Sequence, residues 1–284
     1  MENLINENLI YIAFFGLIAF IVNLAAWSRG FFIFPQEDVP KSSISFAFVL
    51  IIFLTFLGTN VLLNPLLNTL IKYHPFLWMS SEMVNNVVWL ATIIITLILL
   101  FSFCEWKYKT LFKEIWKNSS SSIARDLGIG AFTWILAFPL VGAISQLCDL
   151  LVLIFFGEQA YEQTAVEYLK KSMDSPLLLT IALSGIMVIA PLFEEFLFRG
   201  VLLTWFKKHL GPQVAILLSA LLFACFHFST AQKFGNISVV ASLFILGCFL
   251  GFLYEKQRSL FAPIALHATF NGISTLRIMF FPDL

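Results

Sequence analysis

Eight stretches of the 284-residue chain are almost entirely apolar, and each is close to the length that crosses a bilayer. A helix needs about 20 apolar residues to span the hydrocarbon core, because every backbone amide must be satisfied within the helix. The sequence therefore predicts an all-α, polytopic membrane protein with about eight transmembrane helices. The predicted spans are residues 9–28, 44–64, 84–104, 128–156, 176–206, 212–229, 237–254 and 259–281.

The composition supports a membrane protein and excludes several other classes. Charged residues make up 12% of the chain, whereas soluble domains carry about 25%. The 17 Lys and Arg balance the 17 Asp and Glu, so the net charge gives no indication of a nucleic-acid partner. The cysteines lie in or beside apolar runs without the close spacing of a zinc or redox motif, which predicts inert apolar side chains: Cys104, Cys148, Cys225 and Cys248.

The distribution of Lys and Arg predicts an orientation, because loops on the cytoplasmic side are enriched in both. The loops that follow the first, third, fifth and seventh spans carry most of the basic loop residues, including Arg125 and Lys256. Both ends of the chain are therefore predicted to face away from the cytoplasm.

Intramembrane ionisable side chains divide the chain into two predicted regions. Residues 1–160 supply four spans that read as generic membrane helices, and residues 161–284 supply four spans that hold most of the polar groups. Each such group costs about 2.5–3.5 kcal/mol in hydrocarbon, so their accumulation indicates a functional site. The polar residues within or beside these spans are Glu194, Glu195, Arg199, His227, His267, Asn271 and Arg277.

The segment EEFLFR, residues 194–199, contains two adjacent carboxylates that are expected to have different surroundings. Glu195 and Arg199 are four residues apart on one helical face, where an ion pair can hold both charges. Glu194 is rotated by about 100° on the same helix and faces another direction. One carboxylate is thus predicted to be structural and the other chemical. Pro191, just before them, is expected to kink or break the helix.

Two further pairs of residues are spaced four apart: Phe223 with His227 in FACFH, and His267 with Asn271 in HATFN. The turn between the fifth and sixth spans lies midway between Glu194 and His227, so antiparallel helices would bring both to the same depth. The depth expected for His267 agrees less well, because it lies only about ten residues after the preceding loop.

The three motifs, EExxxR, FxxxH and HxxxN, resemble in order and spacing those of the CPBP family, over about residues 176–281. That family comprises type II CaaX prenyl endopeptidases and Abi-like bacteriocin-processing or self-immunity membrane proteins. The resemblance implies a CaaX-protease-like helical core and an intramembrane endopeptidase of the glutamate type. It also implies a peptide or lipidated-peptide substrate, contact with membrane lipid, and a bacterial inner membrane as the location.

Carried over by motif position, the resemblance gives each residue a role. Glu194 and His227 would activate a water for attack on a peptide carbonyl, and His267 and Asn271 would stabilise the oxyanion. Glu195 and Arg199 would brace the site, and Phe223 would pack beside His227. No cofactor is implied.

Two alternative functions use the same polar cluster. Two His and one or two Glu can hold zinc with a position open for water, although the sequence has no HExxH motif. A non-enzymatic transporter, scaffold or immunity protein could use the cluster to relay protons or lock helices together. A chelator distinguishes the zinc enzyme, and Glu194→Gln distinguishes an enzyme from a scaffold.

Overall fold

The protein is all-α, as predicted. The computed structural model describes residues 2–34, 44–73, 81–117, 120–157 and 164–281. In these ranges the extended backbone pairing is an isolated bridge between Lys117 and Ser259. The helices are α1 (Glu2–Ser28), α2 (Phe46–Gly58), α3 (Asn64–Tyr73), α4 (Ser81–Lys107), α5 (Lys109–Trp116), α6 (Ile123–Phe156), α7 (Thr164–Ser172), α8 (Pro176–Ser184), α9 (Ala190–Glu195), α10 (Thr204–Leu210), α11 (Pro212–Phe226), α12 (Gly235–Gln257) and α13 (Phe261–Phe280).

Six helical runs in the described ranges are long and apolar enough to cross a membrane. They match the first five and the seventh of the predicted spans: Glu2–Ser28, Phe46–Ile71, Met83–Lys107, Ile123–Phe156, Pro176–Leu210 and Gly235–Gln257. The sixth predicted span is a 15-residue apolar helix, α11. The eighth is the 20-residue helix α13, which carries His267, Asn271 and Arg277. The chain is therefore an integral membrane protein, and the count of eight spans stays a prediction.

The fifth span is one helical run from α8 to α10 that changes its hydrogen-bond register twice. A π-helical segment, Gly185–Ile189, precedes α9, and a second, Phe196–Leu203, follows it. The first ends where the Ala190 N–H donates to the Gly185 carbonyl. Pro191 therefore lies in the first turn of α9, where its missing N–H costs nothing. In place of the break expected at Pro191, the helix contains a π-helical segment just before this residue. Such segments are frequent at functional sites.

Helix α6 lies at the centre of the fold and packs against α1, α12 and α13. Its contact with α13 requires a glycine, because a Cβ on Gly130 would lie 2.1 Å from the Ala262 carbonyl oxygen. The α11–α12 contact is similarly close: a Cβ on Gly247 would lie 2.9 Å from the Cβ of Ala220. Small residues thus let the helices around the polar cluster approach closely. The division into residues 1–160 and 161–284 stays a prediction, and α6 connects the two parts.

Polar contacts fix the loops at the end of the fold where α5 ends and where α6 and α13 begin. Lys117 Nζ lies 3.0 Å from Oδ2 of Asp126, which is fully buried. The Leu260 N–H donates to the Trp116 carbonyl at 3.0 Å. The short amphipathic helix α5 is thereby attached to the turn that leads into α13.

Candidate active site

Glu195 and Arg199 form the predicted ion pair, and both side chains are completely buried. Arg199 Nη1 lies 3.1 Å from Glu195 Oε1, and Nη2 donates to the Gly247 carbonyl at 3.2 Å. The pair connects the fifth span to α12. A buried charge is costly unless it is paired, so each residue depends on the other.

The Phe223 ring lies against three basic side chains, Arg199, His227 and His267. The Arg199 guanidinium carbon is 4.4 Å from the centroid of the Phe223 ring, a cation–π distance. The ring meets His227 edge-on with centroids 4.8 Å apart, as expected from their spacing, and His267 with centroids 5.8 Å apart. Phe223 is fully buried and therefore fixes the relative positions of three side chains.

His267 contacts both carboxylates. Its Nδ1 is 2.8 Å from Glu195 Oε1, and its Nε2 is 3.8 Å from Glu194 Oε2. A carboxylate accepts hydrogen bonds, so Nδ1 donates to Glu195, and Nε2 is turned toward Glu194.

The difference in depth expected between Glu194 and His267 is offset by the length of the fifth span. The Lys207 and Glu255 side chains are 2.5 Å apart. The twelve residues that follow Glu195 up to Lys207 are all helical, whereas the turn between α12 and α13 lies between Glu255 and His267. The fifth span simply extends past the turn, to Leu210.

His227 is oriented in the same way by a backbone group. The helix α11 ends at Phe226, so His227 is its C-cap residue rather than part of a longer span. Its Nδ1 lies 2.8 Å from the Phe223 carbonyl oxygen, which can only accept, so Nδ1 is the donor. Its Nε2 is 3.7 Å from Glu194 Oε2. The ring is about one-third exposed, at 32%.

Two imidazole Nε2 atoms therefore face Oε2 of Glu194. That oxygen is buried and has no hydrogen-bond partner among the described residues. The two Nε2 atoms lie 3.7 and 3.8 Å away, beyond a direct hydrogen bond. A water placed among the three atoms could donate to Oε2 and bridge it to an imidazole nitrogen. As predicted, Glu194 and Glu195 have different surroundings: Glu195 is in the ion pair, and Glu194 faces the two imidazoles.

Asn271 lies one helical turn beyond His267 and contacts the first π segment. Its Nδ2 donates to the Ile186 carbonyl at 2.9 Å. One N–H of its amide therefore attaches α13 to the fifth span, and the second N–H and Oδ1 remain for other contacts. Its role as an oxyanion donor stays a prediction.

The segment after His227 contains two buried polar residues that sequence analysis missed: Gln232 in the loop and Asn236 in the first turn of α12. Gln232 Nε2 donates to the His227 carbonyl at 3.2 Å and to Asn236 Oδ1 at 3.1 Å. The Asn236 amide accepts from the Ser229 N–H and donates to the Ser229 and Lys233 carbonyls, at 2.7–2.9 Å. Neither is ionisable or in a family motif. The sequence feature that could have indicated them is the spacing of these two amide side chains, four residues apart and shortly after His227.

The zinc alternative can be compared with the arrangement of the possible ligands. In the described ranges, no group of three or more His, Cys, Asp and Glu side chains is arranged to hold a metal ion. His227, His267 and Glu194 are the residues that a zinc enzyme would use, and the two Nε2 atoms lie 3.7 and 3.8 Å from Glu194 Oε2.

The comparisons with known proteins add a family to this geometry. Residues 176–273 match the family described as type II CAAX prenyl endopeptidase Rce1-like. Residues 176–273 are therefore similar to the CPBP family. The matched range includes every residue of the three motifs, and it begins with α8.

Two bacterial relatives are similar over about half of the chain. "Uncharacterized protein YpbD" of Bacillus subtilis is 28% identical over 143 residues, which cover 49% of this chain and 66% of the relative. "Uncharacterized 24.3 kDa protein" of Escherichia coli is 27% identical over 150 residues, which cover 47% of this chain and 66% of the relative. The chain thus spans just under two thirds of the length of each. No solved structure matches the chain.

Proposed function

We propose that this CPBP-like protein is an intramembrane endopeptidase of the glutamate type, which hydrolyses a peptide bond with a water activated by Glu194 and His227. The observation that supports it best is the convergence of two imidazole Nε2 atoms on one carboxylate oxygen, at 3.7 and 3.8 Å. A structural ion pair would close to hydrogen-bond distance. A general base instead needs space for the water whose proton it takes.

The attack begins with a water among Glu194 Oε2 and the two Nε2 atoms. One O–H bond points to Glu194 Oε2, and an oxygen lone pair points to the scissile carbonyl carbon. Glu194 takes this proton as the C–O bond forms and passes it to His227 Nε2. His227, one-third exposed, then gives the proton to the leaving amine.

The carbonyl oxygen becomes an oxyanion in the tetrahedral intermediate and needs fixed donors. We assign these to His267, when its Nε2 carries a proton, and to the second N–H of Asn271. Glu195 holds His267 through Nδ1, so the ring keeps its position in either protonation state. Collapse of the intermediate breaks the C–N bond, and the amine leaves with the proton.

The family supports a peptide or lipidated peptide as the substrate, and both relatives are bacterial, which supports a bacterial inner membrane as the location. The proposal includes no metal, because the site residues suffice for the chemistry above. A zinc-dependent hydrolysis by the same residues remains the competing mechanism, and a chelator separates the two.

The test is hydrolysis of a panel of prenylated and unmodified peptides by the purified protein, with and without a strong chelator. Glu194→Gln is the site variant, and Glu105→Gln, an exposed glutamate at the end of α4, is the matched control. Cleavage that survives chelation, persists in Glu105→Gln and is lost in a folded Glu194→Gln variant supports the proposal. Loss on chelation would favour the zinc enzyme. A folded parent protein that cleaves no member of the panel would favour the scaffold.

A further inference from the structure

A groove of about 490 Å³ lies between the end of α1 and the first half of α6, away from the motif residues. Its walls are almost wholly apolar and include Phe31, Gly128, Phe132 and Leu136, with Arg125 at one end. The volume is within the range of about 300–1,000 Å³ that small-molecule sites occupy. From Arg125 to Leu136 the helix rises about 16 Å, so the groove is elongated along α6.

The end of the groove at Arg125 is positively charged. Arg125 lies in the first turn of α6, where the helix dipole adds positive potential. The neighbouring carboxylate of Asp126 is already paired with Lys117. Within the described part of the chain, no carboxylate forms an ion pair with Arg125.

A second cation lies beside one of the residues that line the groove. Lys256 donates to the Phe31 carbonyl, and its Nζ lies 4.7 Å from the centroid of the Phe31 ring, which lines the groove. Its contacts in the described ranges are with carbonyl oxygens and aromatic rings, not with carboxylates. Both cations lie on the side of the membrane predicted to be cytoplasmic.

We propose that this groove binds one anionic phospholipid, with an acyl chain along α6 and the phosphate at Arg125 and Lys256. The apolar walls exclude a free anion as the occupant, because they offer it no donors. The two cations without carboxylate partners favour an anionic headgroup over a zwitterionic one. Basic pockets between transmembrane helices on the cytoplasmic side are suited to this class of lipid.

The bound lipid would support the active-site framework from outside. The same stretch of α6 that lines the groove at Gly128 packs at Gly130 against Ala262 of α13, the helix of His267 and Asn271. Filling the groove supports α6 from the opposite side of this close contact. An anionic lipid is therefore expected to stabilise the fold, whether or not the chain is a protease.

The experiment titrates delipidated protein in detergent with phosphatidylglycerol or phosphatidylcholine. It follows bound lipid by native mass spectrometry and thermal unfolding in parallel. We expect phosphatidylglycerol to bind more tightly and to raise the Tm more. Arg125→Gln should weaken phosphatidylglycerol binding about fivefold, equivalent to the roughly 1 kcal/mol that one basic residue contributes near a membrane surface. Lys113→Gln, a basic residue of α5 outside the groove, is the charge control and should bind like the parent.

A second pair of variants tests the groove itself. A Cβ at Gly128 or at Gly16 meets nothing within 4 Å, so leucine fits at either position. Gly128→Leu fills the groove and should abolish lipid retention, whereas Gly16→Leu, on α1, should bind like the parent. Equal binding of the two phospholipids, or retention by Gly128→Leu equal to that of the parent, would overturn the proposal. Neither readout depends on peptide cleavage.

Discussion

His267 Nδ1 and Glu195 Oε1 lie 2.8 Å apart, in an orientation that also turns His267 Nε2 toward Glu194. The buried carboxylate of Glu195 therefore has two partners, the Arg199 guanidinium and this imidazole. Through them it connects the fifth span, α12 and α13. In the proposed mechanism the two adjacent glutamates have different roles: Glu195 orients the neighbouring groups, and Glu194 faces the space in which a substrate carbonyl and a water would meet.

Removing the charge of Glu195 should destabilise the fold strongly. Glu195→Gln leaves Arg199 buried without its carboxylate, and breaking a buried pair in this way costs about 3–5 kcal/mol. Replacing both partners with apolar residues, as Glu195→Leu with Arg199→Met, should recover much of that loss. Chemical unfolding in detergent measures both. A Glu195→Gln variant as stable as the parent would show that the pair does not hold these helices.

The loop after His227 should affect catalysis through Asn236. Asn236→Ala leaves the Ser229 N–H without its side-chain acceptor, at about 1–3 kcal/mol, whereas the Ser229 and Lys233 carbonyls lose one donor each and keep a backbone donor. The loop that holds the His227 carbonyl then loosens, and we expect kcat to fall more than KM rises. Asn8→Ala, whose side chain bonds only within α1, is the control. Unchanged kcat in a folded Asn236→Ala variant would remove Asn236 from the positioning role.

Two glycines two residues apart on α6 should respond oppositely to alanine. Gly130→Ala places a Cβ 2.1 Å from the Ala262 carbonyl oxygen, so α6 and α13 must separate, at a cost of about 1–3 kcal/mol or more. Gly128→Ala meets nothing within 4 Å and should gain up to about 1 kcal/mol from helix propensity. Thermal unfolding of the two variants decides this. Equal effects would contradict the close α6–α13 contact.

Much of the architecture follows from the apolar lengths, and the motif spacing identifies the residues that meet. The ion pair of Glu195 with Arg199 and the contact of Phe223 with His227 could be predicted because both are local, four residues apart on one helix. The meeting of Glu194 with His227 could be predicted because two helices joined by a tight turn are antiparallel.

The rest could not be predicted because it depends on register and on non-local packing. The π segments on either side of α9 change which way each glutamate points, and no residue type marks them in advance. The depth of His267 depends on the length of α10 beyond the turn. The Gln232 and Asn236 contacts belong to a loop, where hydrophobic periodicity carries no information.

The most direct test of the central claim is a double-mutant cycle on single-turnover hydrolysis of one cleaved peptide, with Glu194→Gln, His227→Gln and the double variant, each confirmed as folded. If both side chains act on one water, each single change should lower the rate by about 10² or more, and the double variant should lose little beyond the worse single variant. Losses that add independently, or a Glu194→Gln variant that hydrolyses at the parent's rate, would contradict the account.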